Sequence, residues 1–138
     1  HNASGILPFL YMAGETAACN MQLLRRLGVS TIVNCTISCP QFFPQDFNYV
    51  RVPIKDTADQ LLLPHLWPAL EAIEAARRSG GTVLIHCQAG TSRSAAVAVA
   101  YLMQHQNMAL LDALEFMRSK RPQISPNPGF VGQLVRLE

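Results

Sequence analysis

The segment that most constrains the fold is Thr82-Val83-Leu84-Ile85, which follows Gly80-Gly81 and has no charged residue. A run this short and this apolar suits a strand buried on both faces, the kind that lies in the middle of a parallel sheet. After it the chain turns within a few residues and takes up helical spacing over residues 92–105. Alanine recurs there often enough for the helix to pack closely on the sheet. Strand, tight turn and helix in that order lead to an α/β domain, with a largely parallel central sheet flanked by helices. In such sheets ligands sit at the carboxyl ends of the strands, and this strand points its carboxyl end at the turn.

The rest of the chain supplies the other layers. Residues 6–12 read as an opening strand, and residues 20–27 as a helix stopped by Gly28. Residues 30–33 and 49–52 are β-branched runs that suit adjacent strands. A helical pattern covers 62–78, where Pro64 followed so soon by Pro68 implies a late start or a bent first turn. Residues 110–120 and 129–137 read as two more helices, and 38–48 as the longest loop.

With 138 residues, 49% hydrophobic and 14% charged, the chain fits one domain over residues 1–138 with a core of its own. A net charge of +2 argues for neither nucleic acid nor a membrane surface, and no apolar stretch approaches the roughly 18 residues of a span. The positive charge is local, at Arg25-Arg26, at Arg77-Arg78 and from Arg118 to Arg121, and reads as solvated helix faces. His65 and His105 stand without partners at metal spacing, and Trp67 and Phe116 suit helix packing. The chain starts at His1 without a Met, as a domain cut from a longer protein would. Cys19, Cys35, Cys39 and Cys87 have neither paired nor zinc-like spacing, so no metal site and a reducing setting, cytoplasmic or nuclear, are expected. Cys35 and Cys39 read as structural, with a redox partnership with Cys87 as the alternative.

The chemistry lies in His86-Cys87-Gln88-Ala89-Gly90-Thr91-Ser92-Arg93-Ser94. A short loop between a buried strand and a helix N-terminus leaves backbone N–H groups unpaired and pointing inward, and the helix dipole adds positive potential. Gly90 lets the backbone curl, and Arg93 offers a planar fork that matches two phosphate oxygens. A cysteine at the start of such a cradle is favoured as thiolate, with a pKa of roughly 3.5–7.5. Cys87 is thus placed as a nucleophile toward phosphorus, Arg93 as the phosphate clamp and Gln88 to Arg93 as the phosphate-binding loop. His86 is placed to orient the loop, and Ser94 to donate a hydrogen bond to the sulfur. The plainer reading, a small core cysteine, does not account for the strand, glycine, arginine and serine that accompany it.

His86 to Ala95, followed by Ala100-Tyr101-Leu102-Met103, resembles the dual-specificity protein phosphatases and is most similar to the catalytic domains of the MAP kinase phosphatases. Ile6-Leu7-Pro8-Phe9-Leu10-Tyr11, Val52-Pro53-Ile54-Lys55-Asp56 and Ile124-Ser125-Pro126-Asn127 extend the resemblance over nearly the whole chain. It departs at Thr91, where an aliphatic β-branched residue is usual, and at Pro128, where an aromatic is. The resemblance implies a general acid at Asp56 and a role for Asn127 in holding the phosphate loop from behind. From position alone Asp56 follows a strand by a few residues, whereas Asp59 is placed to cap the next helix; Asn127 reads equally as a turn or a cap. The implied activity is cofactor-free hydrolysis of phosphotyrosine and phosphoserine or phosphothreonine in proteins, with MAP kinases among the candidate substrates. Two other classes stay open: a phosphatase of inositol lipids or polyphosphates, and a binding module that recognises phosphoprotein without turning it over.

Overall fold

The computed structural model describes residues 2–138. In chain order the elements are β1 (Ser4–Leu7), β2 (Leu10–Ala13), α1 (Glu15–Ala18), α2 (Met21–Leu27), β3 (Val29–Asn34) and β4 (Asn48–Arg51). They continue with α3 (Leu63–Arg78), β5 (Thr82–His86), α4 (Arg93–His105), α5 (Leu110–Lys120) and α6 (Pro128–Val135). The strands form one sheet in the order β1-β2-β5-β3-β4. Only β1 and β2 pair antiparallel; β2 with β5, β5 with β3 and β3 with β4 are all parallel.

The glycine-bounded apolar run is therefore the central strand, as its composition requires. Its side chains alternate: Val83 and Ile85 enter the larger core with Leu10, Met12 and Val33, beneath α3, α4, α5 and α6. Leu84 enters the smaller core on the other face with Ile32, Leu23 and Leu24. Helix α4 is buried from Ser94 to Met103 on every side, which explains its alanines. Enlarging one of them, as in Ala98→Leu, would force the helix off the sheet at a cost of roughly 1–3 kcal/mol.

Local sequence chemistry explains the ends. Asn20 caps α2, its Oδ1 accepting from the Leu23 N–H at 3.1 Å, and Gly28 closes the same helix in the left-handed region at φ 75°. Tyr101 on α4 donates its hydroxyl to Glu74 of α3. Arg77 first, and Tyr101 second, hold that carboxyl down at about 2.

Two expectations need correction. Residues 6–12 are a hairpin rather than one strand: Leu7 pairs with Leu10 across Pro8-Phe9, because a proline with fixed φ and no N–H starts a turn more readily than it continues a ladder. Of the two alternatives for α3, the late start fails, since the helix starts at Leu63 and runs through Pro68. Its first turn is capped from far away in sequence: the Leu62 N–H donates to Gln133 Oε1 of α6 at 2.6 Å.

Candidate active site

Parallel pairing brings Ala13, His86 and Asn34 level at the carboxyl ends of β2, β5 and β3. The chain leaving β5 thus enters a gap between Gly14 and Cys35. The Glu15 N–H donates to Gln88 O at 2.9 Å and the Cys35 N–H to His86 O at 2.8 Å, so the loop is held from both neighbouring strands.

Cys87 lies on the loop's floor, 3% exposed. Its Sγ is 3.1 Å from Ser94 Oγ and accepts from the Gly90 N–H at 3.2 Å. Burial alone would raise this thiol. The hydrogen bonds of the Ser94 hydroxyl and of the Ser94, Gly90 and Thr91 N–H groups outweigh burial and bring it below its ordinary value. Gly90 can direct its N–H there only with φ at 72°, and a Cβ at that position would lie 2.6 Å from the carbonyl carbon of Ala13. His86 is buried, and its Nδ1 donates to Cys87 O at 3.2 Å. Burial, the largest influence, lowers its pKa and favours the neutral ring.

Arg93 opens α4 beside the loop and donates through Nη1 to Ile54 O at 3.3 Å. Asp56 arrives from the segment after β4. Its Oδ1 accepts from Ser92 Oγ at 2.6 Å and from Asn127 Nδ2 at 2.9 Å. Asp59 bonds with Thr57 and its own backbone, which hold its carboxyl below the usual range. It does not cap α3, whose first turn is served by Gln133.

Asn127 touches the phosphate loop only through its main chain, its N–H donating to Ser92 Oγ at 3.0 Å. Its side chain serves the segment of Asp56 instead, donating to Asp56 and to Thr57 O at 3.3 Å, while its Oδ1 caps α6 through the Phe130 N–H at 2.9 Å. Both sequence readings of this residue, helix cap and loop support, thus have counterparts, but the support faces Asp56 and not the back of the loop.

The back of the loop belongs to Arg121, which the sequence placed on a solvated face. It is 1% exposed. Its Nε donates to Gly90 O at 2.9 Å and its Nη1 to Asn2 O at 2.7 Å and Ser4 Oγ at 3.0 Å, while its Nη2 is buried with no hydrogen-bond partner. Burial lowers its pKa, and the neighbouring Cys87 acts in the opposite direction. The usable signal was its place just beyond α5 and before Pro122: the backbone leaves the helix at Arg121 (φ −144°, ψ 89°) and turns the side chain inward. Cys35 follows β3 as Cys87 follows β5, and both are buried in the larger core. Burial first, and Cys87 after it, keep the Cys35 thiol well above the ordinary value, as for a protonated core residue.

The model of the dual specificity phosphatase catalytic domain matches residues 10–138. Human dual specificity protein phosphatase 16 is 41% identical over 135 residues, which cover 96% of this chain and 20% of that protein. The solved structure of human DUSP28 superposes with a TM-score of 0.95 at 38% identity, covering 100% of this chain and 93% of that one. That of a mouse putative dual specificity phosphatase complexed with zinc tungstate gives 0.94 at 39%, covering 99% and 86%. The chain spans less than half the length of the first curated relatives it matches. A five-stranded α/β sheet with its cysteine loop at the carboxyl edge, matched over nearly the whole chain at about 40% identity, places this chain in the dual specificity phosphatase family, as its catalytic domain.

Proposed function

We propose that residues 1–138 form one catalytic unit that hydrolyses phosphotyrosine and phosphoserine or phosphothreonine in proteins through a phosphocysteine intermediate. The observation that carries this reading is the Cys87 sulfur, ringed by the Ser94 hydroxyl at 3.1 Å and the Gly90 N–H at 3.2 Å, with Arg93 and Asp56 both on the same loop's rim. Arg93 and the N–H groups of Gln88 to Arg93 receive the phosphate oxygens. The thiolate attacks phosphorus; the S–P bond forms as the P–O bond to the leaving group breaks, and Asp56 hands its proton to the departing oxygen. Asp56, now a carboxylate, takes a proton from water, whose oxygen attacks phosphorus. The S–P bond breaks, the Ser94 hydroxyl donates to the departing sulfur, and inorganic phosphate leaves. The scheme uses no metal or cofactor.

The loop's own side chains favour a protein substrate over inositol lipids or polyphosphates, because Gln88, Ala89, Gly90, Thr91 and Ser92 add no charge for further phosphates. The mouse relative was solved as a complex with zinc tungstate, and tungstate is a tetrahedral oxyanion like phosphate. MAP kinases are candidate substrates on the strength of the resemblance. The free thiols of Cys19, Cys35, Cys39 and Cys87 agree with a reducing, cytoplasmic or nuclear, setting; no described helix is long and apolar enough to cross a membrane.

One likeness favours the binding-module reading: the human tyrosine phosphatase-like serine/threonine/tyrosine-interacting protein superposes at a TM-score of 0.93 with 31% identity. Turnover separates the two. The wild-type domain hydrolyses an aryl phosphate with and without EDTA, and acid quenching traps phosphate on Cys87. Cys87→Ser, whose alcohol stays protonated, abolishes hydrolysis while still binding phosphopeptide. Substantial hydrolysis by Cys87→Ser sinks the mechanism, and none by the wild type leaves the binding module.

A further inference from the structure

Beside Arg93 the phosphate loop opens into a cavity of about 180 Å³. Its walls include Glu15, Thr36, Ser38, Cys39 and Gln88 as well as Arg93, and Asp56 is not among them. Because Arg93 and Gln88 line it, this cavity adjoins the place that the phosphate takes in the scheme above.

Glu15 supplies the one carboxylate on these walls. It is half-buried, and its position relative to the phosphate loop is fixed by its own N–H, which donates to Gln88 O at 2.9 Å. The ion pairs among the described residues join Arg25 to Asp46 and Arg77 and His105 to Glu74, so no basic side chain of the described chain neutralises Glu15 within 4.0 Å. The nearby Arg51 is committed elsewhere: its Nη1 donates to Thr36 O and Ile37 O and its Nη2 to Cys39 O, which braces the 36–39 wall from behind. Cys39 adds no charge, since burial first and Glu15 second push its thiol up to about 11. Thr36 turns its hydroxyl to Asn34 Oδ1. Arg93 is the cavity's cationic wall residue, and the substrate's phosphate uses it. What remains for a neighbouring side chain is a carboxylate that has no ion-pair partner among the described residues and is hydrogen-bonded only with the neutral Cys39 thiol on these walls.

We propose that this cavity is a subsite for a cationic side chain, arginine or lysine, adjacent to the phosphorylated residue, with Glu15 as its specificity-determining residue. The proposal rests on the phosphoprotein reading above and narrows it. A carboxylate or a second phosphate at that position meets Glu15 unfavourably, so a singly phosphorylated, basic-flanked segment is a better substrate than a doubly phosphorylated one.

The test uses phosphotyrosine peptides in a neutral background, with arginine, alanine, glutamate or phosphothreonine scanned through the flanking positions on both sides. Wild-type kcat/KM at the responsive position favours arginine over glutamate by about 5- to 20-fold at low ionic strength, and less at high salt. Glu15→Gln, which keeps the side chain's shape, brings that ratio to within about threefold, and Glu15→Lys inverts it. Each ratio is taken within one enzyme, so a general change in activity cancels. A ratio that Glu15→Gln leaves intact, or a wild-type preference for glutamate or phosphothreonine, overturns the subsite. Peptide turnover with no neighbour preference overturns the subsite alone. If the wild type cleaves aryl phosphate but no peptide, and Cys87→Ser binds none, the phosphoprotein reading falls and takes the subsite with it.

Discussion

The phosphate loop and the proposed acid segment meet through hydrogen bonds from Ser92 Oγ to Asp56 Oδ1 and from Arg93 Nη1 to Ile54 O, and they are built on opposite plans. The phosphate loop is contiguous, with Cys87, Gly90 and Ser92 buried and Gln88 and Ala89 exposed at its rim. Its donors are backbone N–H groups aimed at Cys87 by the turn itself, and strand neighbours hold its flanks. The acid segment is exposed from Lys55 to Asp59 and takes its shape from an element far along the chain. Gln133 of α6 accepts from Leu62 and donates to Gln60 O at 2.8 Å, and Asn127 ties down Asp56 and Thr57. Gly129 packs so closely that a Cβ there would lie 2.0 Å from Ala58 O. In the proposed scheme charge stabilisation thus falls to a preorganised backbone, and proton delivery to a segment whose placement depends on side chains of α6 and of its cap.

If that division holds, damage to the two regions leaves different kinetic signatures. The largest is expected for Asp56→Asn. Its amide oxygen can still accept from Ser92, so the geometry survives while the proton is lost. Hydrolysis of alkyl phosphates, whose leaving group needs that proton, falls by roughly 10²–10⁴-fold. An activated aryl phosphate loses far less, and the basic limb of the kcat profile flattens. Asp59→Asn is close to neutral. The opposite outcome for the two aspartates would mean that Asp56 is a tether and the acid lies elsewhere.

Arg121→Met comes next. It leaves the carbonyls of Gly90 and Asn2 without a buried donor and removes the cation behind the thiolate. Aryl and alkyl substrates both slow, by about 10- to 100-fold, because the defect precedes departure of the leaving group. The pH dependence has a definite sign. The loop's hydrogen bonds hold the Cys87 thiol below its ordinary value, so loosening Gly90 moves the acidic limb of kcat/KM to higher pH. Arg121→Lys keeps the charge without the fork and recovers part of the rate. A loss confined to alkyl phosphates would break the proposed separation of the regions.

The same contrast explains what was legible in the sequence. Thr82 to Ser94 could be read outright, because strand, turn, glycine, cysteine and arginine act on their immediate neighbours and their spacing carries the geometry. The parallel character of the sheet followed from β-branched runs alternating with helical ones. The features that escaped depend on residues distant in sequence. Arg121 reaches Gly90, Asn2 and Ser4, Gln133 caps a helix seventy positions earlier, and Asn127 braces Asp56. None of these pairings leaves a trace in local periodicity. The hairpin at Pro8 was legible in principle, but the apolar continuity from Ile6 to Met12 masked the turn.

The smallest effect is expected at Asn127, and it decides which region that residue serves. Asn127→Ala removes the donors to Asp56 Oδ1 and Thr57 O and the cap on Phe130, while its main-chain N–H still reaches Ser92. Loss of the cap costs about 1 kcal/mol of stability, visible as a lowered Tm. With one tether gone, Asp56 samples unproductive positions, and alkyl phosphates slow by about 3- to 10-fold, the order of one lost hydrogen bond. Aryl phosphate turnover and the acidic limb stay in place, since the Cys87 donors are untouched. Asn127→Ser separates the two roles: serine caps α6 nearly as well but is too short to hold Asp56, so Tm returns while the alkyl-phosphate rate does not. An Asn127→Ala enzyme that slows equally on both substrates, with its acidic limb shifted upward, would return Asn127 to the phosphate loop, the place the family resemblance implied for it.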